Sequence, residues 1–173
     1  MLLLGHIGVS LVAAQVLDRA VLARHRGLDY RLLMVGSLLP DMVDKPIGIY
    51  LLPQVFHGGR LMGHTLLFAL ILLGIGAWRY RRGRVGLFSL GLGSLFHLAE
   101  DEMWNQPAVL WWPLLGWGLA GTWSGESFLR QMLRALLVPQ VFAAEAVGGL
   151  VLAYFLWRGA RGRQRRVTAV REK

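Results

Sequence analysis

The chain has 173 residues, of which 55% are hydrophobic and 17% are charged, and its mean hydropathy is +0.47. This composition is too apolar for an ordinary soluble domain and is typical of a small integral membrane protein. The absence of cysteine excludes disulfides and thiolate ligands, so any transition metal must be held by histidine and carboxylate. The net charge of +9 comes mainly from clusters between apolar runs, which indicates membrane topology rather than specific binding of nucleic acid.

Three basic clusters set the predicted orientation, and they lie at 19–31, 79–84 and 158–173. The positive-inside rule assigns all three to the cytoplasm. Five apolar helices then connect the two sides of the membrane, at about 2–18, 31–44, 62–78, 85–101 and 136–157. The sequence therefore predicts an all-α, polytopic bundle of about five transmembrane helices in the cell membrane. Its first helix starts outside, and its C-terminus is cytoplasmic.

Two further segments complete the predicted layout. Residues 1–157 form one membrane-embedded domain without internal repeats, and the basic tail at 158–173 is expected to be disordered beside anionic lipid. The stretch "PAVLWWPLLGWGLAGTW" must start and end outside and is too short to cross twice, which predicts a Trp-rich re-entrant or interfacial hairpin. The initial "MLLLGHIGVSLVAAQVL" lacks a positive n-region and contains a histidine, so we expect it to be retained rather than cleaved.

The predicted orientation brings histidines and carboxylates from four segments to the outer face. Of the five histidines, only His25 falls in a cytoplasmic cluster. Ionisable groups at membrane depth are costly unless they are paired or bind a cation, so this convergence predicts a functional site. The group comprises His6, Asp41, Asp44, His57, Arg60, His64, His97, Glu100, Asp101 and Glu102.

The spacing within "HLAEDE" separates two kinds of residue. His97 and Asp101 are four residues apart, so they share one helix face and are suited to bind one metal. Glu100 and Glu102 are interpreted as interfacial carboxylates that point elsewhere and have no essential role.

Two other motifs add ligands and a cation. Asp41 and Asp44 follow Pro40, where a break in the helix would turn both carboxylates inward. One would bind metal, and the other would bridge a second metal or orient a histidine. In "FHGGRLMGHT", two glycines let the chain bend close to the site, and Arg60 is placed to clamp a substrate phosphate through bidentate hydrogen bonds.

The order of these motifs resembles that of the YdjM-like family of predicted membrane-bound metal-dependent hydrolases, which includes LexA-regulated bacterial inner-membrane proteins. The resemblance covers about residues 1–115 and depends on "LLPDMVD", "HGGRLMGHTLL", "HLAED" and "LWWP". The spacing around Arg60 is stretched, which leaves the roles of His57 and Arg60 open, and Thr65 stands where the family usually has Ser. More distantly, the motif order is similar to that of zinc phospholipases C. The family pattern falls on His6, Asp41, Asp44, Arg60, His64, His97, Asp101 and Trp112-Pro113.

We therefore expect a metal-dependent hydrolase that cleaves a phosphate ester of a lipid or lipid-linked substrate at the outer interface. Zinc is the expected divalent metal, as one or two ions, with manganese or iron as alternatives. The metal would lower the pKa of a bound water, Asp41 or Asp44 would accept its proton, and Arg60 would offset charge on a phosphoryl oxygen. The expected ligands are His6, Asp41, Asp44, His57, His64, His97 and Asp101.

Two other classes of protein use the same ligand types. A metal carrier would need ionisable residues through the membrane, and the runs "LLFALILLGIGAW" and "VGLFSLGLG" contain none. A structural or assembly protein whose helices are held together by a metal would need a closed set of four ligands. The candidate ligands in this sequence are more numerous than four. A membrane zincin is disfavoured because no H-E-x-x-H occurs. The sequence leaves the substrate and the oligomeric state open.

Overall fold

The computed structural model describes residues 2–22, 27–56, 58–118 and 128–171, which fold into helices joined by turns. Short π-helical turns follow α1 and α2, and 3-10 turns precede α4 and follow α5. The predicted all-α class is confirmed for this part of the chain. Its α-helices are α1 (Leu3–Leu17), α2 (Tyr30–Lys45), α3 (Pro53–Phe56), α4 (Leu66–Arg81), α5 (Gly86–Glu100), α6 (Pro107–Leu110), α7 (Phe128–Leu136) and α8 (Pro139–Arg171).

Each of the five predicted spans corresponds to a helix, namely α1, α2, α4, α5 and α8. Among the described residues, one helix is long and apolar enough to cross a membrane by itself, the 23 residues of α8 from Pro139–Arg161. The other four have 15 or 16 residues, fewer than the roughly 20 of a full crossing. The structure thus provides one candidate span, and the count of five stays a prediction.

The C-terminal third differs from the prediction in two ways. The nine-residue helix α7 precedes α8, whereas the sequence predicts the last helix to begin at about 136. Helix α8 continues to Arg171 and so includes most of the basic tail that was expected to be disordered. Arginine has a high helix propensity, and no proline follows Pro139, so the helix continues past Gly159 and Gly162 in spite of their low propensity.

The described part of the Trp-rich segment, residues 107–118, forms the short helix α6 followed by a turn. Leu114 and Trp117 in this turn are each 80% exposed. Exposed tryptophan and leucine side chains beside membrane helices suit the bilayer interface. Residues 119–123 of the predicted hairpin lie outside the described residues, so the hairpin stays a prediction.

Glycines set the closest contacts between helices. A Cβ at Gly36 of α2 would lie 2.1 Å from a carbonyl oxygen of α5, and one at Gly93 of α5 would lie 2.3 Å from a carbonyl oxygen of α2. Gly8 of α1 meets α8 in the same way, since its Cβ would lie 2.2 Å from the Cα of Gly148. Small residues let helix backbones approach closely where van der Waals packing must hold them together. These contacts fix α2 against α5 and α1 against α8.

Helix α2 continues through Pro40, so the predicted break at this residue is wrong. Proline has no N–H, which deprives the carbonyl of Gly36 of its usual helical donor. The Oγ of Ser94 in α5 donates to that carbonyl at 3.1 Å. The next carbonyl, that of Ser37, accepts from Nδ1 of His97 at 2.7 Å. The proline therefore marks the turn at which α2 offers backbone oxygens to α5 rather than the end of the helix.

Candidate metal centre

Three histidines and two aspartates form a buried cluster where α1 begins, α2 and α5 end and the chain enters α4. The three imidazole side chains are at most 1% exposed, and Asp41 and Asp101 are 19% and 8% exposed. The structure brings together most of the residues that the sequence assigns to one face. The cluster comprises His6, Asp41, His64, His97 and Asp101.

Asp44 lies behind this cluster and holds His64. Its carboxylate accepts the backbone N–H groups of Leu61 at 2.6 Å, Gly63 at 2.8 Å and His64 at 3.1 Å. The fourth contact joins Oδ2 of Asp44 to Nδ1 of His64 at 2.7 Å. Because a carboxylate only accepts, Nδ1 of His64 carries the proton, and Nε2 presents its lone pair to the cluster.

This geometry does not agree with Asp44 as a metal ligand or proton acceptor. Both of its oxygens are already engaged, and the residue is fully buried behind the imidazole. It agrees with the alternative that one of the two aspartates orients a histidine. A carboxylate on the outer nitrogen of a ligating histidine fixes both its tautomer and its direction.

His97 is also held through its Nδ1, in this case by a backbone carbonyl. Its Nδ1 donates to the carbonyl of Ser37 at 2.7 Å, so its Nε2 is the nitrogen with a free lone pair. That Nε2 lies 3.2 Å from Nε2 of His64 and 3.9 Å from Oδ1 of Asp41. Two lone pairs at this distance repel unless a proton or a cation lies between them. The pair therefore fits a bound cation.

His6 completes the set, and Glu100 orients it. Nδ1 of His6 contacts Oε2 of Glu100 at 2.7 Å, and the other oxygen of Glu100 accepts from Oγ of Ser10 at 2.8 Å. Nε2 of His6 is buried 3.2 Å from Oδ1 of Asp101, without hydrogen-bond geometry to any described residue. This nitrogen and this carboxylate oxygen are close enough to bind one metal ion together.

The interpretation of Glu100 as a solvated interfacial carboxylate is thus wrong, since its side chain is 6% exposed and bound to His6. A sequence signal for it exists. Positions 97, 100 and 101 are spaced i, i+3 and i+4, so all three lie on one helix face. Glu102, by contrast, has a left-handed backbone with φ of 50° and accepts a hydrogen bond from Asn105 in an exposed position.

Arg60 lies at the edge of the cluster. Its Nη2 and Nε donate to Oδ2 of Asp101 at 2.7 and 3.2 Å, and its side chain is 39% exposed. The charged pair orients Asp101 while leaving part of the guanidinium open to a ligand. His57, the remaining predicted ligand, lies outside the described residues.

The donor atoms of the described residues fall into two overlapping groups that could hold a metal ion. Two sets of residues each bring three ligand atoms within 4.8 Å of one another. The first set is His6, Asp41 and His97, and the second is His64, His97 and Asp101. Both sets contain His97, whose only free nitrogen is Nε2. One nitrogen lone pair binds one ion, so the two sets cannot each use His97 for a separate ion, and their nitrogen and oxygen donors are of the kind that zinc accepts.

A cavity of about 400 Å³ adjoins the cluster between the end of α5 and the start of α8. Arg60, Glu100 and Asp101 form its inner wall, and Gln140 and Ala144 of α8 lie opposite. Its size and mixed lining suit a polar group of small-molecule size. The cavity therefore places a polar space beside Asp101 of the cluster.

The fold and the site together define a helical protein with a buried histidine and carboxylate cluster and one helix long and apolar enough to cross a membrane. The family model described as YdjM inner membrane protein matches residues 1–165. The chain belongs to this family, which confirms the resemblance carried by its motifs and identifies it as an inner membrane protein. No curated protein and no solved structure matches the chain, so the similarity to zinc phospholipases C gains no support.

Replacing Glu100 by Gln is expected to lower the affinity for Zn²⁺ about 10-fold to 100-fold, the usual effect of removing the carboxylate that orients a ligating histidine. The matched control is Glu102→Gln, which changes an exposed carboxylate next to the same helix end and should stay within about 2-fold. Competition with a chromophoric chelator measures both affinities in detergent. Equal affinities would show that Glu100 has no part in holding the metal.

Proposed function

We propose that this protein is a membrane-bound metal-dependent hydrolase that acts on a phosphate ester of a lipid or lipid-linked substrate. The observation that carries the proposal is the pair of Nε2 atoms of His64 and His97, 3.2 Å apart, each on a ring whose other nitrogen is engaged. A divalent cation bound by both nitrogens would remove the repulsion between their lone pairs. We propose a single zinc ion, with manganese or iron as alternatives that accept the same donors.

The three histidines would hold the ion through Nε2, and Asp101 or Asp41 would complete the set. A bound divalent ion would polarise the scissile phosphoryl group and lower the pKa of a water at the site. Asp41 is the carboxylate best suited to accept a proton, since it is partly exposed and its Oδ1 lies 3.5 Å from Nε2 of His64. Lys45 binds the other oxygen of Asp41 at 2.5 Å and keeps the carboxylate directed along the helix.

The cavity beside Arg60 supports a substrate with a phosphate headgroup. Its volume of about 400 Å³ accommodates a headgroup but not two acyl chains, which would stay in the bilayer. An apolar cavity of about 310 Å³ lies at the same end of α5, lined by residues that include Phe96, Met103 and Trp104. Polar and apolar pockets at one helix end favour an amphiphilic substrate over a soluble one.

Hydrolysis of a panel of short-chain lipid phosphate esters by the Zn²⁺-loaded protein in detergent tests the proposal. We expect release of phosphate or headgroup that a chelator stops and added Zn²⁺ restores. The His97→Ala variant should be inactive at the same protein concentration. A protein that retains zinc but cleaves no member of the panel would favour a second candidate, a non-catalytic metal-binding membrane protein. The observation that supports this candidate is the near-complete burial of the three histidines.

We also propose that α1, α2, α4 and α5 cross the membrane with α8 and that the cluster faces the non-cytoplasmic side. Because the chain has no cysteine, single cysteines can report its topology without background labelling. Arg82→Cys should resist a membrane-impermeant thiol reagent in intact cells, and Gln106→Cys should react. Both positions are exposed on the protein surface. Labelling of Arg82→Cys from outside would reverse the face assigned to the site.

A further inference from the structure

Glu145 is a buried acidic residue in the second turn of α8, within the apolar part of that helix. It is 8% exposed, although it lies in the helix that is suited to cross the membrane. A charged side chain at such a position is costly and marks a functional role unless it has partners. Glu145 also lies outside the cluster described above and belongs to none of the sequence motifs.

The partners of Glu145 are the backbone N–H groups that begin α1. Its Oε1 accepts from Leu2 at 2.7 Å and from Gly5 at 3.0 Å, and its Oε2 accepts from Leu4 at 2.8 Å. The first N–H groups of a helix have no partner within that helix, and a negative charge near them is favourable. Leu2, the residue before α1, provides no side-chain cap. The carboxylate of Glu145 therefore caps α1 from another helix.

This cap lies immediately before a proposed ligand. Gly5, which donates to Glu145, precedes His6, and the N–H of His6 closes the same turn by donating to the carbonyl of Leu2 at 3.2 Å. Three residues further along α8, Gly148 touches Gly8 of α1. The two contacts fix both the rotation of α1 and its height along α8, and these set where the imidazole of His6 lies.

We propose that Glu145 is a positioning residue of the metal site and that it acts through His6. The inference rests on the proposed metal site and extends it to a helix that supplies no ligand. Loss of the carboxylate would leave the first turn of α1 with too few acceptors in apolar surroundings, so that turn would move or fray. His6 would then be held by Glu100 alone, and its Nε2 would no longer be fixed beside Oδ1 of Asp101, 3.2 Å away.

A double-mutant cycle between E145Q and H6A, read out as affinity for Zn²⁺ of the detergent-purified full chain, tests this inference. E145Q alone should weaken binding about 10-fold, and in the H6A background it should cause no further loss, because its effect passes through the missing imidazole. E145D keeps the charge and should restore part of the affinity. The matched packing control is G149A, whose Cβ would meet only a side-chain atom of Leu4 at 3.5 Å and should leave the affinity within about 2-fold.

The outcomes separate this inference from the proposed function. If E145Q weakens binding equally with and without His6, or does not weaken it at all, Glu145 only packs α8 against α1, and the inference is overturned. Wild-type protein that takes up no Zn²⁺ would overturn the metal site and this inference together. If E145Q does not purify, the cycle is run with E145D, for which the same non-additivity with H6A is expected and additive losses count against the inference.

Discussion

Replacing Asp101 by Asn is expected to lower both zinc occupancy and hydrolysis of a lipid phosphate ester about 100-fold or more. The substitution keeps the volume of the side chain but removes the negative charge that lies 3.2 Å from Nε2 of His6 and pairs with Arg60 at 2.7 Å. The protein should still insert and purify, because the site lies at the end of α5 rather than in its packed centre. Metal content by mass spectrometry and activity are measured on the same preparations.

Glu102→Gln is the control for Asp101→Asn, since the neighbouring carboxylate is exposed and contacts Asn105 rather than the cluster. It should stay within a few-fold of wild type in both measurements. Equal activity in the two variants would mean that the carboxylates after α5 only solvate a helix end. Asp101 would then not be a metal ligand.

Replacing Asp44 by Asn is expected to lower the free energy of unfolding by about 3 kcal/mol or more and to abolish zinc binding. The fully buried carboxylate accepts three backbone N–H groups and Nδ1 of His64. An amide offers one oxygen, and its NH₂ group would face donors. Chemical unfolding in detergent measures the stability, and chelator competition measures the zinc.

Asp41→Asn is the matched comparison, because Asp41 precedes Asp44 by one helical turn but is 19% exposed and pairs with Lys45. Its loss should weaken zinc binding and change the free energy of unfolding by less than about 1 kcal/mol. If Asp44→Asn abolished activity without loss of stability, Asp44 would be the ligand or base that its motif predicts. The supporting role assigned by the geometry would then be incorrect.

The positions of the long helices could be predicted because each is an apolar run bounded by charge or by a helix breaker. Helix α7 could not, since its nine residues contain Arg130 and Arg134 and carry no apolar run of membrane length. The continuation of α2 through Pro40 could not be predicted either. The sequence does not show that Ser94 of α5 supplies a donor to the carbonyl that the proline leaves free.

The residues of the cluster could be predicted, whereas the separate role of each residue could not. The positive-inside rule, applied to the three basic clusters, places His6, His64 and His97 at one end of the bundle. The difference between Asp41 and Asp44 depends on how Leu61–His64 folds over one carboxylate and leaves the other beside the imidazoles. The partners of Glu100 are 90 or more residues away along the chain and those of Glu145 are 140 or more residues away, so only the tertiary structure reveals them.

The metal content of the purified protein tests the central claim most directly. After loading with Zn²⁺ at neutral pH and removal of loosely bound ions with a weak chelator, we predict one zinc ion per chain. The ion should be lost in both His64→Ala and His97→Ala, whose Nε2 atoms face each other across 3.2 Å. Wild-type protein that remains free of metal after addition of zinc or manganese would contradict the site and the hydrolase proposed from it.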